Sequence, residues 1–173
     1  GASIVAAIKY TVGDNAYGYR GLGDLFVFIF FGLVSVMGSY FAMAGVLPWI
    51  YVFPASAIGL LSAGVLNMNN IRDIENDSAC GKRTLPVMLG VKRAKIYHYV
   101  LILAAVICLF IYTFLHPAGW TAYLFVIVLP LLGIHLKNVY RGDGRELDSQ
   151  LKFLSITTLL LTLLLGFGQI IGK

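Results

Sequence analysis

The residues best suited to chemistry lie in one charged segment near the middle of the chain, LNMNNIRDIENDSACGKRTLPVMLGVKRAK. Within this segment Asn69, Asp73 and Asp77 are spaced four apart, so on one helix they share a face. Two carboxylates one turn apart repel each other unless a cation lies between them. Hard divalent ions such as Mg²⁺ accept carboxylate oxygens, and their coordination is usually completed by water and substrate phosphates. This spacing predicts a site for Mg²⁺.

Two basic residues follow this acidic face. Lys82 and Arg83 come directly after Gly81, and both side chains suit phosphate oxygens. An acidic helix face, a tight glycine turn and a basic pair together predict a clamp for Mg²⁺ and a diphosphate group. The alternative interpretation is a solvated loop with ordinary charges.

Long uncharged stretches flank this segment and must position it. Residues 25–71, 96–136 and 153–172 contain no Asp, Glu, Lys or Arg. A membrane-spanning helix needs about 20 apolar residues, so the first two stretches predict helical hairpins and the third a single span. The five predicted spans are 25–45, 47–68, 96–115, 120–136 and 153–171.

The composition supports the same class of protein. The chain is 59% hydrophobic and only 12% charged, and its mean hydropathy is +0.85. These values exclude a water-soluble enzyme and a disordered chain, and the absence of alternation excludes a β-barrel. We therefore predict an all-α, polytopic membrane helical bundle, with residues 1–173 forming a single membrane domain.

The charges predict how this bundle is oriented in the lipid bilayer. All 8 acidic residues and 12 of the 13 basic residues precede the first hairpin, separate the hairpins or precede the last span. Short loops rich in Lys and Arg stay in the cytoplasm, so the aspartate-motif loop at 69–95 is expected to be cytoplasmic. The net charge of +5 is explained by this topology, and no nucleic-acid partner is predicted.

Other polar residues predict less. His98, His116 and His135 are isolated in the sequence near the ends of predicted spans, which favours interfacial, hydrogen-bonded histidines over metal ligands. Cys80 in a loop and Cys108 in a span are expected to remain unpaired. The charged segment 137–152 is expected to be a solvated loop.

Two stretches resemble the UbiA superfamily of intramembrane aromatic prenyltransferases. NNIRDIENDSACGKRTLPVMLG is similar to the second aspartate-rich motif of the family, in the form found in the branch that prenylates 1,4-dihydroxy-2-naphthoate. YTVGDNAYGYRGLGDLFVFIFFG, residues 10–32, is similar to the same branch. The resemblance implies the last five of nine transmembrane helices, in a bacterial inner (plasma) membrane.

The start of the chain fits this resemblance. The apolar run at 2–8 is too short to span a membrane and lacks the features of a signal peptide. The first aspartate motif of the family has no counterpart in the chain. We therefore expect missing N-terminal helices of the same protein to complete the site, and we expect this fragment alone to be inactive.

The resemblance also implies a reaction. A polyprenyl group passes from polyprenyl diphosphate to 1,4-dihydroxy-2-naphthoate with loss of CO₂ and diphosphate, giving demethylmenaquinone for menaquinone biosynthesis. Asp73 and Asp77 would be the catalytic residues that hold Mg²⁺. The diphosphate would be bound by further residues of the two stretches, namely Asn69, Asn70, Arg72, Lys82, Arg83, Tyr10 and Arg20.

Three alternatives remain open, one of which is a catalytically inactive structural fragment, because the first aspartate motif is missing. Another UbiA-type enzyme, acting on an acceptor such as 4-hydroxybenzoate, would use the same metal chemistry. Part of a membrane transporter is the remaining alternative. Transporters place polar sites near the bilayer midplane, whereas this chain keeps Asp, Glu, Lys and Arg out of its predicted spans.

Overall fold

The computed structural model describes residues 21–172, except for the side chain of Arg145. Within this part of the chain no strand is present and, besides a 3₁₀ helix of four residues (Gly144–Leu147), seven helices follow one another. In chain order they are α1 (Gly23–Ala44), α2 (Trp49–Arg72), α3 (Ile74–Ala79), α4 (Leu85–Leu89), α5 (Val91–Leu115), α6 (Trp120–Arg141) and α7 (Asp148–Ile171). Five of these, all but α3 and α4, are long and apolar enough to cross a membrane. The all-α membrane bundle expected from the sequence is confirmed.

All five spans extend further than predicted toward the charged segments, α1 by only two residues, to Gly23. α2 ends at Arg72 rather than at 68, and α5 begins at Val91 rather than at 96. α6 and α7 are likewise extended to Arg141 and Asp148. The absence of charge marks only the part of a helix that lies in hydrocarbon. Lys and Arg are good helix formers whose long side chains reach the aqueous interface, so the helices continue through them.

The packing of the bundle is organised around α2, which contacts α1, α5 and α7. Small residues on α2 allow close approach of the neighbouring backbones. A Cβ atom added to Gly32 of α1 would lie only 2.6 Å from the Cα atom of Gly59 of α2. At the crossing of α6 and α7, the Thr121 hydroxyl donates a hydrogen bond of 2.9 Å to the carbonyl oxygen of Gly168.

Two histidines that are far apart in the sequence form a buried pair. The Nε2 atoms of His98 on α5 and His135 on α6 are 2.8 Å apart, and both residues are fully buried. The expectation of isolated, interfacial histidines is wrong for these two, because antiparallel helices bring together residues that are distant in sequence. Cys80 and Cys108 are free, as predicted.

Candidate functional site

The charged segments meet at one end of the bundle, which we call the charged end and define as residues 69–95 and 137–152. The ends of α2 and α6 and the starts of α5 and α7 all lie there. A cavity of about 1100 Å³ opens between these elements. Its lining includes Arg72, Asp73, Lys92, Lys95, Tyr140 and Asp148. Arg72, Asp73, Lys92 and Lys95 lie in one segment of the sequence. Only the fold brings Tyr140 and Asp148 to the same cavity.

The predicted acidic face lies on two helices rather than one. α2 ends at Arg72, and Asp73 has φ −95° and ψ 11°, outside the helical range, before α3 begins. Hydrogen bonds nevertheless continue across the break, from the Asp73 amide to the Asn69 carbonyl at 3.1 Å and from the Asp77 amide to the Asp73 carbonyl at 2.8 Å. Asn69, Asp73 and Asp77 therefore remain on successive turns, although the single continuous helix expected from their spacing is interrupted.

The Arg72 guanidinium connects the first part of this face to the last membrane helix. Its Nε and Nη2 atoms donate to the two carboxylate oxygens of Asp73 at 2.8 and 2.6 Å. Nη2 also donates to Oδ1 of Asn69 at 2.8 Å, and Nη1 donates to Oδ1 of Asp148 at 3.2 Å. A bidentate guanidinium–carboxylate pair is among the stronger charge-assisted contacts. One guanidinium thus collects three oxygen-bearing side chains.

This pairing keeps Asp73 ionised. The hydrogen bonds from Arg72 lower the pKa of the Asp73 carboxyl group below its usual value, and they outweigh the partial burial that raises it. The positive charges of Arg72 and Lys82 act in the same direction. Asp73 is therefore a carboxylate at neutral pH, the state that a metal ligand requires.

The second carboxylate, Asp77, is held by Lys82. The Lys82 Nζ atom lies 2.8 Å from Oδ1 of Asp77, and the Asp77 side chain is only 6% exposed. The glycine turn explains this contact. Gly81 has φ +72°, and the amides of Gly81 and Lys82 donate to the carbonyls of Ser78 and Asp77. This Schellman arrangement ends α3 and turns the chain so that Lys82 returns over Asp77.

The remaining predicted residues lie apart from this arrangement. Asn70 is a buried residue of α2, and the Arg83 side chain is exposed with no ion pair among the described residues. Tyr10 and Arg20 lie outside the described residues. The structure thus gathers Asn69, Arg72 and Asp73 in one cluster, and the Asp77–Lys82 pair lies one helical turn further along.

The segment 137–152 is more structured than the solvated loop that was expected. Lys95 of α5 donates to the Gly142 carbonyl and to Oδ1 of Asp143, both at 2.7 Å. Asp148 begins α7 and pairs with Arg72. A sequence signal for Asp148 was available, because an acidic residue in the first turn of a helix is favoured by the helix dipole. Its partner, 76 residues away, had no such signal.

A buried carboxyl group near the start of α1 was also not predicted. Asp24 is only 4% exposed, and its carboxyl group lies close to Tyr97 of α5. This contact connects α1 to α5 close to the charged end. Its local sequence gives no sign of burial, because the only cue is a single acidic residue beside an apolar run.

The oxygens available to a cation at the charged end are few. Within residues 21–172, no group of three or more His, Cys, Asp or Glu side chains could hold a metal ion. The carboxylates of Asp73 and Asp77 and the amide oxygen of Asn69 are the hard donors on the acidic face. This donor set is too small to enclose an ion but suits one that is shared with a phosphate ligand.

Comparison with known proteins places this arrangement in a family. Residues 1–167 match the UbiA prenyltransferase family. The chain is 43% identical to a 1,4-dihydroxy-2-naphthoate octaprenyltransferase of Haemophilus influenzae over 98% of the chain and 56% of that protein. Identity is 45% to the protein of the same name from Escherichia coli, over 82% of the chain and 46% of that protein. Identity to the Mycobacterium tuberculosis protein of that name is 36%, over 96% of the chain and 58% of that protein.

These matches also set the extent of the likeness. The chain spans about half the length of the curated relatives it matches. No solved structure matches the chain. A match to the family over nearly the whole chain, together with five apolar helices, makes this an integral membrane protein that belongs to the UbiA prenyltransferase family.

Proposed function

We propose that this chain is the C-terminal part of an enzyme that transfers a polyprenyl group from polyprenyl diphosphate to 1,4-dihydroxy-2-naphthoate. The observation that carries the proposal is the pair of carboxylates at the charged end, Asp73 and Asp77, each held by its own basic side chain. Three relatives bear the name of this activity. The N-terminal helices of the same protein would complete the site.

Mg²⁺ is the cofactor that suits these residues. Carboxylate and amide oxygens are hard ligands, and Mg²⁺ is usually bound through one or two carboxylates plus substrate phosphates. Asp73 and Asp77 would hold it, with Asn69 on the same face. When bound, Mg²⁺ would neutralise negative charge on the departing diphosphate.

The basic residues would hold the other partner in the reaction. Arg72 and Lys82 each lie within hydrogen-bonding distance of a proposed metal ligand, so they would contact a diphosphate that shares the metal. Arg83 is exposed and could bind the outer phosphate oxygens. Cationic donors fixed where charge develops lower the barrier to departure of the leaving group.

The chemistry then requires an apolar site beyond the diphosphate. The allylic C–O bond breaks and its electron pair leaves with the diphosphate. The ring carbon that bears the carboxylate in the naphthalene attacks the allylic carbon. A new C–C bond forms, and CO₂ departs leaving its bonding pair in the ring. The prenyl tail is as apolar as lipid and would lie among the helices, where water that could trap the cation is excluded.

Sidedness follows from the same arrangement. We propose that the charged end faces the cytoplasm of a bacterium and that the helices span its inner membrane. The Lys and Arg residues in the short segments at this end support that orientation. Diphosphate and Mg²⁺ are water-soluble and would enter and leave from this side.

The test uses the full-length protein that contains this chain, in membrane vesicles. Labelled polyprenyl diphosphate, 1,4-dihydroxy-2-naphthoate and Mg²⁺ should give labelled prenylated naphthalene product and CO₂. Asp73→Asn and Asp77→Asn should each lower turnover by about 10²-fold or more, the usual loss when an electrostatic catalytic group is removed. Asp143→Asn is the matched control, because Asp143 is an exposed carboxylate of the same end that pairs with Lys95.

Two results would contradict the proposal. If product forms only from 4-hydroxybenzoate, the prenyl-transfer chemistry stands and the proposed acceptor is wrong. No product from any aromatic acceptor, with a folded protein, would reject the prenyltransferase function and favour the transporter alternative.

A further inference from the structure

Arg72 occupies the oxygens that a metal ion would need. Three of its four hydrogen bonds take both carboxylate oxygens of Asp73 and the amide oxygen of Asn69, at 2.6 to 2.8 Å. Two of the three side chains proposed to face Mg²⁺ are therefore already hydrogen-bonded to a cation that belongs to the chain, and one of them, Asp73, is neutralised by it. The guanidinium holds Asn69 and Asp73 together in the arrangement in which a metal would find them.

A metal ion and this guanidinium compete for Asp73. Mg²⁺ binds carboxylate oxygens at about 2.0–2.1 Å and requires nearly octahedral geometry. A guanidinium spanning both oxygens of the same carboxylate restricts the directions from which the ion can approach, and the two positive charges repel each other. Metal binding at the lone pairs of Asp73 that face Arg72 therefore requires the guanidinium to move away from this carboxylate.

Asp148 provides a place for the displaced guanidinium. It already accepts a hydrogen bond from Nη1 of Arg72, at 3.2 Å the longest of the four. Its side chain is 57% exposed, so a closer contact needs little rearrangement of neighbours. Arg72, Asp73 and Asp148 all line the cavity of about 1100 Å³ at the charged end, which provides room for the side chain to move.

We propose that Arg72 is a built-in counter-cation of the metal site and that Asp148 is the positioning residue that receives it when the metal binds. Before metal binding, Arg72 keeps the site assembled. On metal binding, Arg72 leaves Asp73, remains attached to Asp148 and is held beside the incoming diphosphate. Metal occupancy is thereby coupled to the start of α7. The inference rests on the proposed function, because the metal site at Asp73 is part of that proposal.

The experiment measures metal binding directly, using Mn²⁺ as the probe in the full-length protein in detergent. The electron paramagnetic resonance signal of free Mn²⁺ gives the amount bound, and the site is defined as the binding that Asp73→Asn abolishes. Asp148→Asn should weaken Mn²⁺ binding by about two- to fivefold, the range expected for a partly exposed ion pair. Asp148→Glu should restore it, and Asp143→Asn, a carboxylate of the same segment that pairs with Lys95, should leave it unchanged.

The direction in which Arg72→Gln changes the Mn²⁺ affinity is the sharper test. Arg72→Gln should tighten Mn²⁺ binding in the absence of diphosphate, because the competing cation is gone. The same variant should weaken binding of inorganic diphosphate to the Mn²⁺-loaded protein. A residue that only stabilises the fold would weaken both. Weaker Mn²⁺ binding in folded Arg72→Gln, or unchanged Mn²⁺ binding in Asp148→Asn, would overturn the inference.

Failure of this inference is distinguishable from failure of the proposed function. If the wild-type protein turns over and Asp148→Asn leaves the metal affinity unchanged, this inference is rejected and the proposed function stands. If the Arg72 and Asp148 variants change the Mn²⁺ affinity as expected but the wild-type protein transfers no prenyl group, only the proposed reaction is rejected.

Discussion

The crossing of α1 and α2 gives a prediction whose size can be worked out from distances. A Cβ atom at Gly32 would lie 2.6 Å from both the Ala55 carbonyl oxygen and the Gly59 Cα atom. These neighbours are backbone atoms that cannot rotate away. At Gly38, six residues further along α1, a Cβ atom would have no neighbour within 4 Å. Gly32→Ala and Gly38→Ala are therefore the same chemical change on the same helix, but only Gly32→Ala places a Cβ atom against a neighbouring backbone.

The expected magnitudes follow from these contacts. Ordinary contacts of a Cβ atom begin near 3.4 Å, so Gly32→Ala must move the two backbones apart by roughly 0.8 Å, a distance at which close-packed contacts lose much of their attraction. Overpacking of this kind costs about 1–3 kcal/mol. Gly38→Ala meets nothing and gains helix propensity, which is worth up to about 1 kcal/mol. We therefore expect Gly32→Ala to be destabilised and Gly38→Ala to be unchanged or more stable.

The assay is the free energy of unfolding of the full-length protein, measured by titration with SDS in mixed micelles. A second pair on α7 repeats the comparison. A Cβ atom at Gly168 would collide with the Thr121 carbonyl oxygen, whereas one at Gly166 would meet nothing. If Gly32→Ala proved as stable as Gly38→Ala, the close crossing of α1 and α2 would be refuted.

Two further predictions concern other parts of the chain. His98→Leu or His135→Leu leaves the other imidazole buried without its hydrogen-bond partner, so each change should lower the free energy of unfolding by about 1–3 kcal/mol. The free energy of unfolding of the double variant should fall by less than the sum of the two single losses. Strictly additive losses would mean that the two rings do not interact. Cys80 is a free, exposed thiol at the charged end, so a membrane-impermeant maleimide should label it in inverted vesicles and not in intact spheroplasts. Cys80→Ser corrects for other thiols, and labelling in spheroplasts would reverse the proposed orientation.

The parts of the structure that could be predicted from the sequence depend on local composition. Five membrane helices follow from the long uncharged stretches, because lipid excludes unpaired charge and unsatisfied backbone over a fixed thickness. The aspartate motif follows from a spacing of four residues, which is the repeat of a helix turn. The break at Asp73 was not predicted, but the three oxygen-bearing residues remain on successive turns because the hydrogen bonds continue across it.

The contacts between distant segments required the tertiary structure. Arg72 and Asp148 are 76 residues apart, and His98 and His135 are 37 apart. No local pattern identifies such partners, because they depend on the rotation of each helix about its axis and on its crossing with its neighbours.

Glycines make the same point within a single helix. Gly32 and Gly38 are both glycines in the apolar sequence of α1, and nothing in that sequence distinguishes them. The structure distinguishes them because only Gly32 faces a neighbouring backbone. The sequence by itself therefore determined the membrane class and the number of spans, and it predicted the carboxylates that we propose hold a metal. The fold alone decided which backbones touch and which cation holds each carboxylate, because those depend on distances between helices that no single segment encodes.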